Sequence, residues 1–204
     1  MKFVFDLGGV LLRWQPAELL QRLLPAQAHD AASAALWVQR FFQGYGGDWG
    51  EFDRGTLDAD ALVPRIAART GLGADDVRRV VDAVPQSLQP LPDSVALLRR
   101  LHDAGRELYF LSNMPTPYAA IVEPREDFFA CFRCGIFSCR EGLIKPEPAI
   151  YALAQQRFGA EAQALVFLDD HGPNVLAARA AGWQALQFTD AARAEAEMRV
   201  RGWV

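Results

Sequence analysis

Apolar residues along the 204-residue chain follow two rhythms, and the change from one to the other divides it. Residues 2–5, KFVF, are a short run too uniformly apolar for a half-exposed strand, so they predict a buried one. The spacing then turns helical. Leu19, Leu20, Leu23 and Leu24 make one face, ended by Pro25, and Leu36, Trp37, Phe41 and Phe42 make a second, ended by Gly44. A glycine-rich aromatic loop, GYGGDWGEFDRG, covers residues 44–55. Asp58 is placed to cap a helix that buries Leu62, Ile66 and Ala67 and stops near Gly71. Val77, Val80, Val81 and Val84 carry the helical spacing to Pro85.

After Pro92 the texture alternates. Asp93 is placed to cap a helix through Val95, Leu98 and Leu101, closed by Gly105. Strands are predicted at 107–111, 135–137, 164–168 and 183–188. Helices lie between them, one beginning at Pro146 and Pro148 and carrying Ile150, Leu153, Ala154 and Phe158, another at 175–181, with an Ala/Glu/Arg-rich helix last. Strands alternating with helices imply βαβ units and a parallel sheet. The fold class is therefore α/β, a sandwich around a parallel sheet with an all-helical insertion. Residues 1–14 and 90–204 form the core and 15–89 the insertion.

Composition narrows the function classes. Hydrophobic residues make up 51% and charged residues 23%, enough for a packed core. The net charge of −4, with both signs interspersed, offers no nucleic-acid surface and disfavours a membrane surface. No apolar run approaches the ~18 residues of a membrane span. Lys2 and the apolar residues after it imitate a signal peptide, but Asp6 interrupts the run and no small-residue cleavage site follows. Cys131, Cys134 and Cys139, an odd number in one short stretch, point to a reducing compartment, so a cytoplasmic location is expected.

Chemistry collects where strands end. FVF runs into Asp6, LYFL into Ser112 and Asn113, and LVFL into Asp169 and Asp170. In open parallel sheets ligands bind outside the carboxyl ends of the strands, so these endings converge on one site. Three crowded carboxylates repel one another, and a hard divalent cation with oxygen ligands relieves that; no His or Cys cluster offers a zinc alternative. Lys145, in GLIKPEP, is the single cation to join them. A Mg²⁺ ion, a lysine and a Ser/Asn turn make an anion site. Asp6 beside them becomes a nucleophile toward a phosphate dianion, with an aspartyl-phosphate as product and Ser112 and Asn113 holding the phosphoryl oxygens.

These residues resemble the haloacid dehalogenase-like superfamily, in its phosphatase branch. FDLGGVL at 5–11, LSN at 111–113, KP at 145–146 and FLDDHGPN at 167–174 match its four motifs in order and spacing. They are similar to its bacterial glucose-1-phosphate phosphatase-like members and to the amino-terminal phosphatase domain of soluble epoxide hydrolases. The resemblance implies a Rossmann-like three-layer sandwich, with the helical insertion as a type-1 cap that closes over the site and selects the substrate. It implies Asp6 as nucleophile and Mg²⁺ ligand, Gly8 as a ligand through its backbone carbonyl and Asp170 as the second carboxylate ligand. It further implies Asn174 on the metal's water shell and Asp169 fixing Lys145.

One position departs from the family pattern. Most of its phosphatases have an Asp where this chain has Gly8, serving as general acid and base, an assistance typically worth ~10²–10⁴-fold. The glycine leaves three readings: a slower phosphatase using a cap residue or bound water, an enzyme for good leaving groups such as a sugar 1-phosphate, or a weak catalyst that mainly binds phosphate ligands. The expected function is Mg²⁺-dependent hydrolysis of a small phosphate ester, a sugar phosphate first. The expected partner is that small molecule alone, with no nucleic acid and no membrane, and the chain a monomer or weak homodimer. A 2-haloacid dehalogenase is the rival, but it needs no metal and gives no reason to keep Asp169 and Asp170 together.

Weaker signals complete the picture. The three cysteines read as buried strand residues. His29 and His102 fall on helical patterns at the surface, whereas His171, next to Asp170, is placed to touch a substrate or a water. Tyr45, Trp49 and Phe52 in the 44–55 loop read either as a sugar-stacking specificity loop or as filling for the cap core, and Trp14 as entrance lining or hinge anchor.

Overall fold

The computed structural model describes residues 1–204. The chain begins with strand β1 (Lys2–Phe5), followed by five helices: α1 (Pro16–Leu23), α2 (Ala31–Phe42), α3 (Gly47–Arg54), α4 (Ala59–Thr70) and α5 (Ala74–Ser87). Then come α6 (Pro92–Asp103), β2 (Leu108–Ser112), α7 (Thr116–Arg125), β3 (Cys134–Phe137), α8 (Ser138–Glu141) and α9 (Pro148–Phe158). The chain finishes with β4 (Leu165–Asp169), α10 (Gly172–Ala180), β5 (Gln184–Gln187) and α11 (Ala191–Val200).

All five strands are parallel, in the order β3-β2-β1-β4-β5. β1 lies in the centre with β2 and β4 as neighbours, so the residues that follow these three strands emerge side by side. The strands alternate between two cores with the expected period of two. Phe3, Phe5, Phe110, Val166 and Leu168 face one core, which includes Leu98 and Leu101 of α6 and Met198 of α11. Val4, Tyr109, Leu111, Leu165 and Phe167 face the other, which holds Ile150 and Phe158 of α9 and Val175 of α10. A sheet buried on both faces carries near-continuous apolar runs, which is why the strands read so clearly in the sequence. The first core continues into the α1–α5 insertion through Leu19, Phe41, Phe42, Leu62, Ile66 and Val80.

Several local expectations are corrected. Residues 47–54 are helix α3 rather than loop, and Trp49 and Phe52 are buried in it. Trp49 packs edge-on against Phe42 and Phe52, filling the cap. Leu36 is 52% exposed, and the burial of α2 falls to Ala34, Phe41 and Phe42 instead. Asp93 does not cap α6; Leu91 occupies that position with Pro92 as the first helical residue. His29 lies in an exposed segment between α1 and α2 and not on a helix. Helix α7 was not foreseen, because Pro117 and Pro124 at its two ends interrupt the sequence pattern. The three cysteines are free and only partly buried, and only Cys134 lies on a strand. No helix is long and apolar enough to cross a membrane.

Candidate active site

The site lies at the carboxyl edge of β1, β2 and β4. Asp6 follows β1, Ser112 closes β2, Asp169 closes β4, and Lys145 arrives from the loop before α9. All four are buried. The Lys145 ammonium lies 2.9 Å from Asp6 Oδ2 and 2.6 Å from Asp169 Oδ2, so one cation joins two carboxylates in the sheet's mouth. Burial alone would depress its pKa, but the charges of Asp169 and Asp6 outweigh that and the pKa is raised, so the lysine stays charged.

Asp169 is saturated with donors. Besides Lys145 it accepts from the His171 backbone N–H at 2.8 Å and from Asn174 Nδ2 at 3.1 Å to each oxygen. It is therefore placed to hold Lys145, with no lone pair in an open direction. Asn174 spends its Nδ2 on Asp169 and also borders the cavity. The Asn113 side chain forms a reciprocal pair with the Lys145 backbone, donating through Nδ2 to the carbonyl at 2.9 Å and accepting the N–H at 2.8 Å. The amide thus fixes the lysine loop through one N–H and its oxygen. Ser112 and Asn113 both line the cavity above the sheet.

Asp6 and Asp170 remain. Carboxylate oxygens of Asp6, Asp169 and Asp170 lie within 4.8 Å of one another. With a single ammonium among three carboxylates, two negative charges are unbalanced when all are ionised. Desolvation above all, helped by Asp169 and Asp170 against the pull of Lys145, raises the Asp6 pKa well above the carboxylate range. Burial and Asp169 push Asp170 up to about 6. A hard divalent cation fits this donor set, since it is all oxygen and carries the missing positive charge. Asp6 and Asp170 are the carboxylates free to hold it, and Gly8 borders the same cavity.

The two glycines after Asp6 differ in kind. A Cβ on Gly8 would meet nothing nearer than Trp14 Cβ at 3.8 Å, so the missing side chain is a chemical choice and not a steric one. Gly9 has a φ of +74°, and a Cβ there would overlap the Asp170 carboxylate at 2.3 Å. Gly9, not Gly8, is the glycine the backbone requires.

Trp14 after β1 and Tyr45, Trp49, Asp53, Val84 and Leu88 of the helical insertion line the cavity, and Tyr118 of α7 adds to the wall. Tyr45 contacts the His171 ring edge-on at 5.5 Å and accepts a hydrogen bond from Trp14 Nε1 at 3.0 Å. Burial lowers the His171 pKa, favouring the neutral ring. Asp53 went unnoticed in the sequence because it sits in a charged stretch, DRG, that reads as solvated. In the fold it is 5% exposed, and desolvation, opposed only by Lys145, pushes it up to about 8.

Residues 3–182 match the family model of haloacid dehalogenase-like hydrolases. The chain belongs to that family. Among curated proteins it is 27% identical to the sesquiterpene phosphatase astK of Aspergillus oryzae, over 96% of this chain and 93% of that protein. Its fold is similar to that of a HAD family enzyme from Bacteroides thetaiotaomicron solved with magnesium and inorganic phosphate (TM-score 0.69, 17% identity, 93% of this chain and 94% of the other). It is also similar to the L-2-haloacid dehalogenase of Xanthobacter autotrophicus (TM-score 0.67, 21% identity, 90% and 75%).

Two measurements test this geometry. Gly9→Ala is expected to displace Asp170, lower the melting temperature and reduce turnover by at least ~10-fold, while Gly8→Ala changes stability by less than ~0.5 kcal/mol. A Gly9→Ala protein with unchanged turnover would remove the close-approach argument. Asp53 has a raised folded pKa, so its burial carries no ionisation penalty below pH ~4, and that penalty grows by up to about 1.4 kcal/mol per pH unit until about pH 8. Asp53→Asn is therefore expected to raise the melting temperature at pH 7 and leave it unchanged at pH 4; an equal effect at both pH values contradicts the buried neutral acid.

Proposed function

We propose that this hydrolase is a divalent-cation-dependent phosphomonoesterase in which Asp6 is the nucleophile. The observation that carries the reading is the pairing of Asp6 with Lys145 while Asp170 is left without a cationic partner at hydrogen-bond distance. A dehalogenase attacking a neutral carbon has no use for that extra carboxylate, whereas a phosphatase binding a cation does. The fold alone is neutral on this point, since its structural neighbours include both a HAD family enzyme solved with magnesium and inorganic phosphate and a 2-haloacid dehalogenase.

When bound, the cation would be held by Asp6 and Asp170 and would offset the repulsion between carboxylate and phosphate dianion. Lys145 neutralises charge on the same side and orients the Asp6 carboxylate, with Asp169 fixing the lysine in turn. The Leu7 backbone N–H donates to Asp6 Oδ1 at 2.7 Å and limits rotation of the carboxylate. Asp6 attacks phosphorus in line, the ester oxygen leaves, and water then hydrolyses the acyl phosphate. Ser112, on the cavity floor, supplies a hydroxyl for a phosphoryl oxygen.

The cavity wall combines apolar faces from Trp14, Trp49, Val84, Leu88, Met114 and Tyr118 with polar groups from Tyr45, Asp53, Asn113 and His171. The apolar faces support a phosphate ester with an apolar portion, which they would take out of water. The sesquiterpene phosphatase relative acts on a ligand of that kind by its name. A sugar 1-phosphate is the second reading, favoured by Gly8, since an anomeric oxygen leaves with less proton assistance.

A substrate panel of prenyl, aryl and sugar phosphates, with and without Mg²⁺, tests the proposal. Hydrolysis is expected only with the cation, with a stoichiometric burst of alcohol where dephosphorylation is slow, and Asp6→Asn is expected to lower turnover by ~10³-fold or more. Full activity in EDTA, or in Asp6→Asn, would exclude the mechanism.

A further inference from the structure

Gly8 leaves the site without the acid that protonates a departing alkoxide, and the cavity wall offers few groups to take over. Three carboxyl side chains line the cavity. Asp6 is the nucleophile of the proposed function and Asp170 faces the cation position, which leaves Asp53. Tyr45 is a poor alternative: burial raises its pKa from 10, which makes it a weak acid near neutral pH.

Asp53 is held unusually firmly for a cap residue. Its backbone carbonyl accepts a hydrogen bond from Ser138 Oγ of the core at 2.5 Å, and that hydroxyl accepts from the Met114 N–H at 2.9 Å. The next residue, Arg54, makes a two-point contact with Glu147 at 2.6 and 2.9 Å and donates to the Gly142 carbonyl at 3.1 Å. Gly55 then crosses the Cys139 backbone so closely that a Cβ would come within 2.7 Å of its carbonyl oxygen. Three successive cap residues are thus fastened to the segment leading to Lys145. The backbone is clamped, while the Asp53 carboxyl has no hydrogen-bond partner and borders the cavity. With no partner in the protein, its oxygens reach the cavity, where a ligand can hydrogen-bond them.

Resting on the phosphatase reading, we propose that Asp53 is the proton donor to the leaving-group oxygen, supplied by the cap in place of the acid that residue 8 lacks. As Asp6 forms its bond to phosphorus and the ester P–O bond breaks, the Asp53 O–H gives its proton to the departing oxygen, releasing a neutral alcohol. The Asp53 carboxylate then takes a proton from the water that attacks the aspartyl-phosphate. The P–O bond to Asp6 breaks, phosphate leaves, and both residues return to their starting state. The burial that keeps Asp53 protonated near neutral pH suits it to this role. The clamp also makes proton delivery conditional on cap closure, since Ser138 and Glu147 belong to the core.

The test is kcat/KM, with Mg²⁺, across substituted phenyl phosphates of graded leaving-group acidity and one alkyl phosphate, for wild type, Asp53→Asn and Asp53→Ser. Wild type is expected to show a shallow dependence on leaving-group acidity. Both variants are expected to stay within ~3-fold of wild type on the most acidic phenol and to fall ~10²-fold or more on the alkyl ester. Near-normal rates on the activated ester also certify that each variant is folded. A uniform fall across the series, or no fall, overturns the role of Asp53 and leaves the phosphatase reading standing. Failure of wild type to hydrolyse any of these esters overturns both.

Discussion

The structure is organised around one buried ammonium. Lys145 lies between Asp6 and Asp169 in the mouth of a sheet whose strands exclude water on both faces. A buried charge persists only when paired and hydrogen-bonded, so everything that fixes this lysine is under strong constraint. Asn113 grips its backbone, Asn174 and the His171 amide hold its partner Asp169, and Tyr151 crosses beneath to donate to the Asn174 carbonyl at 2.9 Å. Each of these polar groups helps to hold the lysine against Asp6.

That network explains a division of labour among the acids. Asp169 has no free lone pair in an open direction and works through Lys145. Asp6 is held by the Leu7 amide on one oxygen and the lysine on the other. Asp170 has neither support, and Gly9 gives it room by lacking a Cβ. Neighbouring carboxylates thus differ in role because they differ in which donors reach them.

The cap carries a second constraint of a different kind. Its interior is aromatic packing around Phe41, Phe42, Trp49 and Phe52, which is tolerant of detail. Its contact with the core at residues 53–55 is polar and directional, which is not. These contacts fasten the insertion at the point where Asp53, a buried acid with a raised pKa, borders the cavity.

The sequence by itself determined the sheet, the insertion and the acids. Strands buried on both faces must be continuously apolar, so KFVF and LVFL announced themselves, and carboxylates directly after them had one place to go. The glycines, by contrast, could be ranked only in space: a carboxylate distant in the chain makes Gly9 obligatory and leaves Gly8 optional. Tertiary structure alone decided that Asn113 and Asn174 spend their amides on Lys145 and Asp169, since hydrogen-bond partners 32 and 5 residues away leave no periodic trace. It also turned a glycine-rich stretch into α3 by giving Trp49 and Phe52 a core to enter, and so buried Asp53. Burial of a charged side chain follows from what the rest of the chain packs over it, and local composition carries no record of that.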